Sequence, residues 1–288
     1  VTPTDPLAAL GLPYPFELAF MQRALVAAVA VGVFAPLIGT YLVQKRLSLV
    51  GDGIGHVAFA GVGAAVAIGT APIWTALAFA VAGALGLEWL RARRRTSGDV
   101  ALAILFYAGI ALGVVLLSLG DGLGGGVLAY LFGQPLTVRD DELVAIVGIG
   151  AAIAVTVLAL RRPLLAVVTD EEWARAAGLP VDLLNGLVAI MTAGVVVAAM
   201  RIVGILLVAA MMVLPVASAQ LLARSFRGAL GLAAAIGVAA ALAGLAAARL
   251  WGLAPGGTIV LIATAIFALA TIGTRARQGL AHAEGEGP

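Results

Sequence analysis

The chain has 288 residues, 62% of them hydrophobic and 11% charged, with a formal net charge of +2 and a mean hydropathy of +1.12. Soluble domains run at about 45–50% apolar and about 25% charged, so a soluble globular enzyme, a disordered chain and a secreted disulfide scaffold are excluded. The absence of cysteine removes disulfides, thiolate metal sites and iron–sulfur ligation, and the small net charge argues against a nucleic-acid partner.

The first residues, VTPTDPLAALGLPYPFEL, hold four prolines and no basic stretch, unlike a cleavable signal. Residues 1–17 are therefore expected as an extracytoplasmic segment, with the first apolar span as the insertion signal. Nine apolar stretches follow, at 18–43, 52–70, 72–90, 99–119, 143–160, 184–200, 204–222, 229–250 and 256–273. In lipid each must be helical, because a loop or sheet edge would leave backbone groups unpaired. Runs such as GLAAAIGVAAALAGLAAA lack the alternation of barrel strands. The expected fold is all-α, a polytopic bundle of eight or nine transmembrane helices over 18–273 with a polar tail at 274–288.

Basic clusters follow the odd-numbered spans: Lys45–Arg46, Arg91 with Arg93–Arg95, Arg161–Arg162 with Arg175, Arg224 with Arg227, and Arg275 with Arg277. The loops on the other side carry at most isolated arginines, Arg139, Arg201 and Arg249. The positive-inside rule then puts the N-terminus outside and the C-terminus in the cytoplasm. Segment 121–142 divides into a flexible GDGLGGG turn and a short interfacial or re-entrant helix around VLAYLFGQPL. Gly109-x-x-x-Gly113 reads as close helix packing. Pro36 and Pro215 predict kinks whose freed carbonyls either line a path or are simply structural. Met200, Met211 and Met212 read as packing.

The most informative segment is RLSLVGDGIGHVAFAG, residues 46–61. Asp52 and His56 are four apart and share a helical face, in a span where ionisable groups are costly and face protein or water. A carboxylate and an imidazole together form half of a site for a divalent first-row metal. The alternatives are that Asp52 caps the helix while His56 bonds a neighbouring helix, or that the two relay protons. Asp99 reads as a cap with a favourable dipole interaction, and Glu88 with Arg91 as an interfacial ion pair. On the cytoplasmic side, RRPLLAVVTDEEWARAAGLPVD (161–182) predicts a short amphipathic helix from Glu171 to Ala177, ended by Gly178 and Pro180. It is either a solvated connector or a docking helix. The chain's one lysine, Lys45, follows TYLVQ, and no G-x-x-x-x-G-K-[ST] exists. ATP hydrolysis would therefore belong to another subunit.

On four stretches the sequence resembles the integral-membrane permeases of bacterial ABC-type zinc and manganese importers. They are Asp52-x-x-x-His56 behind KRLSLVG, TSGDVALAILFYAGIALG (96–113), LAYLFGQPL (128–136), and DEEWARAAGL running into VGILLVAAMMVLPVASAQLLA (203–223). The resemblance implies a permease in the bacterial inner membrane with no permanent cofactor. It implies a homodimer around a path for Zn²⁺ or Mn²⁺, two cytoplasmic ATPase subunits, and an extracytoplasmic metal-binding protein. It makes Asp52 and His56 metal-coordinating gate residues, and Asp170, Glu171, Ala174 and Gly178 part of the ATPase-coupling segment. Counting from Lys45 puts Asp52 near the cytoplasmic end of span two, whereas an outer gate would need that helix to begin deeper. The rival function is a proton-coupled cation transporter without an ATPase. A scaffold or an intramembrane enzyme is a weaker third reading, because no nucleophile–base arrangement is present.

Overall fold

The computed structural model describes residues 18–92, 98–120 and 125–285. In chain order the helices are α1 (Ala19–Gln44), α2 (Val50–Ile68), α3 (Pro72–Ala92), α4 (Gly98–Leu119), α5 (Gly125–Phe132), a 3-10 turn at Pro135–Thr137, α6 (Asp140–Ala159), α7 (Arg161–Thr169), α8 (Glu171–Ala176), α9 (Val181–Ala199), α10 (Val208–Leu222), α11 (Phe226–Trp251) and α12 (Pro255–Gly285). Among the described residues eight helices are long and apolar enough to cross a membrane, and α10 is shorter. The multi-pass all-α expectation holds, and eight of the nine expected spans are matched at full length.

The seventh expected span, 204–222, falls short. Residues 201–207 turn instead, with Gly204 at φ +95°, so α10 starts only at Val208. Its 15 residues reach about 22 Å, less than the ~30 Å hydrocarbon core. The column is completed by α5, whose end binds this turn through backbone hydrogen bonds: Ile205 N–H to Tyr130 O at 2.9 Å, Leu206 N–H to Leu131 O at 3.3 Å and Gln134 N–H to Arg201 O at 2.9 Å. Two irregular segments thus satisfy one another, the condition for non-helical backbone at membrane depth. A short helix was expected here. The GDGLGGG turn lies largely outside the described residues, as do Arg93–Arg95 and residues 1–17. The expected polar tail from 274 is helical to Gly285, continuous with α12.

Helices α1, α2 and α9 form the centre, with 72% of each spanning window buried, against 22–28% for α3, α4, α6 and α12. Close crossings follow the small residues. A Cβ at Gly237 of α11 would collide with the Gly32 carbonyl and Pro36 Cγ of α1. That carbonyl is the one left unpaired by the missing Pro36 N–H, so the Pro36 position serves helix packing. A Cβ at Gly109 of α4 would lie 2.8 Å from His56 C and 2.9 Å from Val57 N. The G-x-x-x-G pair therefore packs as expected, against the part of α2 that holds His56. Met200, Met211 and Met212 are buried packing residues.

The up-and-down path brings the ends of α1 and α3, the starts of α2, α4, α9 and α11, and all of α7 and α8 to one end. Lys45, Glu88, Arg91 and Asn185 line one small cavity there. The expected Glu88–Arg91 pair forms at 3.1 Å. At the opposite end Arg23 pairs with Asp140 at 2.9 Å.

Candidate functional site

Asp52 does not cap α2. The cap position is Leu49, no side chain bonds the helix end, and Asp52 lies within the first turn, where a carboxylate still favours the positive end of the helix dipole. Asp99 likewise lies in the first turn of α4, and the residue before that helix is outside the described residues. Asp52 and His56 therefore occupy the first two turns of α2, and the backbone between them packs against Ile205 of the turn that follows Arg201.

The two side chains face each other: His56 Nε2 is 4.0 Å from Asp52 Oδ1, with the side chains 8% and 28% exposed. Bonds of about 2.0–2.2 Å from nitrogen and oxygen to a divalent ion sum to just over this separation, so a single ion fits between the two atoms. The Phe106 ring of α4 packs against the imidazole, with centroids 4.0 Å apart. Gly53 and Gly55 bring Leu102 and Ile205 against the α2 backbone between the two donors. Asp52 opens into a cavity of about 310 Å³ whose lining also includes Leu49, Asp99, Phe106 and Tyr107. Asp99, read from the sequence as a cap, shares this cavity. Among the described residues no three His, Cys, Asp or Glu side chains form a complete metal site. One chain supplies two donors facing each other and a second carboxylate, Asp99, on the same cavity wall.

The expected helix at Glu171 is present, with its last turn at Ala176. Asp170 caps it, accepting a hydrogen bond from Trp173 N–H at 2.9 Å. Ala174 is buried beneath it and Gly178 ends it at φ +81°, a conformation that favours glycine. Trp173 is 62% exposed. Preceding it, α7 was not anticipated. Arg175 pairs with Asp182 at the start of α9 at 2.9 Å, and Glu171 connects the helix to α1. Its carboxylate pairs with Lys45 Nζ at 2.6 Å and accepts from Asn185 Nδ2 at 3.2 Å, while Lys45 also donates to Asn185 Oδ1 at 2.6 Å. Partial burial would raise the Glu171 carboxyl, but the Lys45 ammonium, helped by Asn185 and Arg91, holds it below the usual carboxylate range. The triangle ties α8 to the last turn of α1, seven positions before Asp52.

Sequence reasoning missed a second buried pair. Arg201, read only as an isolated topology marker, is buried against Glu142 at 3.1 Å, with side chains 9% and 11% exposed. It donates to Thr137 O at 3.1 Å and lies 4.8 Å from the Tyr130 ring centroid. Glu142 also accepts from Arg139 N–H at 3.1 Å. This cluster pins α5, the 3-10 turn and α6 to the turn after α9. Arg201→Met would leave Glu142 buried and uncompensated. The expected loss is about 3–5 kcal/mol, read as a lower thermal midpoint in detergent, and pairing it with Glu142→Gln should recover much of it.

The family described as ABC 3 transport family matches residues 17–274. The chain is 37% identical over 251 residues to the "Manganese transport system membrane protein MntC" of Halalkalibacterium halodurans, covering 87% of this chain and 86% of that one. It is 29% identical over 248 residues to the "Manganese import system permease protein ScaB" of Streptococcus parasanguinis, covering 86% and 88%. Among solved structures it resembles "PsaBC from Streptococcus pneumoniae in complex with Fab", with a TM-score of 0.81 and 30% identity over 88% of this chain and 91% of that one.

Proposed function

Because the chain belongs to the ABC 3 transport family, we propose that this permease subunit carries manganese into a bacterial cytoplasm, driven by ATPase subunits on separate chains. The observation that carries the reading is the family match, which runs from α1 through the apolar part of α12. It favours this reading over a proton-coupled exchanger. Two relatives are named for manganese. The donors offered here, carboxylate oxygen and imidazole nitrogen without any thiolate, suit a first-row divalent ion. Zinc shares that donor chemistry but has no such support.

In this reading Asp52 and His56 hold the ion in transit. A second copy of the chain, facing the first across the path, brings its own pair and completes a coordination sphere that one chain leaves open. The site releases its ion when the two copies part. An extracytoplasmic metal-binding protein supplies manganese at the Arg201 end. The segment from Asp170 to Gly178, with Glu171 and the buried Ala174 at its base and Trp173 outward, docks the ATPase. That end and the C-terminus then lie in the cytoplasm, with the body in the inner membrane.

Uptake of ⁵⁴Mn into liposomes tests the reading. The chain alone is expected to move no metal, with or without a proton gradient. With its ATPase and metal-binding protein, uptake should depend on ATP. Uptake by the chain alone, driven by a proton gradient, would overturn the ABC reading. Metal binding should also weaken on acidification through the histidine range, because a protonated imidazole has no lone pair for the ion.

A further inference from the structure

We propose that the groove between α7 and α11 binds the headgroup of an anionic phospholipid. The groove has a volume of about 350 Å³ and is bordered by Arg161, Arg162 and Arg227, with Leu37, Leu165 and Leu230 among its apolar walls. That size lies in the ~300–1,000 Å³ range of small-molecule sites.

Three observations fix the occupant's chemistry. First, the charge is of one sign: three guanidinium groups line the groove and no carboxylate does. Among the described residues none of the three is in an ion pair. Guanidinium matches phosphate oxygens in bidentate geometry. Second, the walls are leucines on the flanks of α1, α6, α7 and α11, so the groove opens where acyl chains lie and offers them apolar surface beside the charged rim. Third, the buried Tyr41 hydroxyl has no hydrogen-bond partner among the described residues. Its ring packs edge-on against Phe226 of the groove wall, with centroids 5.5 Å apart, and Arg161 acts on it electrostatically. A polar donor without a partner behind a cationic groove is what an anionic headgroup would satisfy. Basic pockets between spanning helices on the cytoplasmic side bind such lipids generally. Here the site stands at the end that carries α8, reached from Arg161 through α7.

The test needs only the full chain and does not depend on transport. The purified protein is offered equal amounts of phosphatidylglycerol and phosphatidylcholine, and retained lipid is read by native mass spectrometry. Phosphatidylglycerol is expected to be retained preferentially. Arg161→Gln/Arg162→Gln/Arg227→Gln should lower the preference at least about tenfold, from roughly fivefold per basic residue at a membrane surface. Arg139→Gln/Arg249→Gln, at the other end, should leave it unchanged. The single Arg227→Gln, at an exposed helix start, should keep native helical circular dichroism and still lower the preference about threefold to fivefold. Equal retention of both lipids by the wild type would overturn the proposal. An unchanged preference in a helical Arg227→Gln or triple variant would do the same. Loss of the preference on adding inorganic phosphate would reassign the groove to a soluble anion and also overturn it.

Discussion

Replacing His56 with alanine in the assembled transporter is expected to reduce ATP-dependent manganese uptake by at least about a hundredfold. Loss of an outer-shell partner costs about 10–100-fold in metal affinity, and loss of a ligand should cost more. Asp52→Asn should act alike, because it keeps the shape of the side chain but removes the charge assigned to the cation in the proposed function. Both variants should retain the fold. The imidazole of His56 packs against the Phe106 ring, and the close backbone crossing at Gly109 is untouched. Titration of manganese against the purified protein, followed by electron paramagnetic resonance of the free ion, separates lost binding from lost transport. Uptake that survives in both variants would remove these residues from the path. Asp99→Asn, on the wall of the same cavity but on another helix, should have the smaller effect.

The second large effect concerns Lys45. Reversing its charge with Lys45→Glu is expected to uncouple the transporter, lowering the metal moved per ATP hydrolysed about tenfold, the equivalent of roughly 1.4 kcal/mol of lost coupling. The partly buried triangle of Lys45, Glu171 and Asn185 is the direct polar tie between α8 and the α1–α2 corner. Removing one partner of a buried pair costs about 3–5 kcal/mol. Glu171 is 44% exposed, so solvent screening lowers this to about 1–2 kcal/mol, enough to change coupling without unfolding the bundle. Exchange of the two charges, Lys45→Glu with Glu171→Lys, should restore part of the ratio, which a merely misfolded variant would not do. The sign with pH follows from the depressed Glu171 carboxyl. The tie is fully present above the ordinary glutamate range and is lost as pH falls through the lowered value. Coupling that is unchanged in Lys45→Glu would place the transmission elsewhere.

Much of this was legible in the residues. Apolar runs bounded by arginines, Pro72, Pro255 and the Gly69 and Gly252 ends mark α2, α3, α11 and the start of α12 within a few positions. The spacing of four places Asp52 and His56 on one helical face. What hydropathy misses is conformation inside an apolar run. Ile202 to Leu207 are as greasy as a helix, and only the left-handed Gly204 and the bonds to Tyr130 and Leu131 stop one forming there. Arg201 was opaque for a related reason. Its partner lies 59 positions earlier in an Asp-Asp-Glu run that reads as an acidic first turn, and an arginine at a helix end ordinarily reports topology. The Asp52 cap failed because α2 starts two residues before it, on Val50. A short backbone hydrogen bond from Leu47 N–H to Leu42 O, at 2.8 Å, helps fold the corner tightly. The partner of Lys45 could not be read either, because Glu171 is brought to it only by the packing of α8 against α7 and α9.

That single lysine has a practical side. A chain with one lysine offers amine-directed reagents a single side chain along its whole spanning body, and here that side chain is 9% exposed and held by two oxygen acceptors. Labels and cross-linkers that acylate amines therefore meet a closed door while the corner is intact, and their reaction with this one atom marks the moment the corner opens.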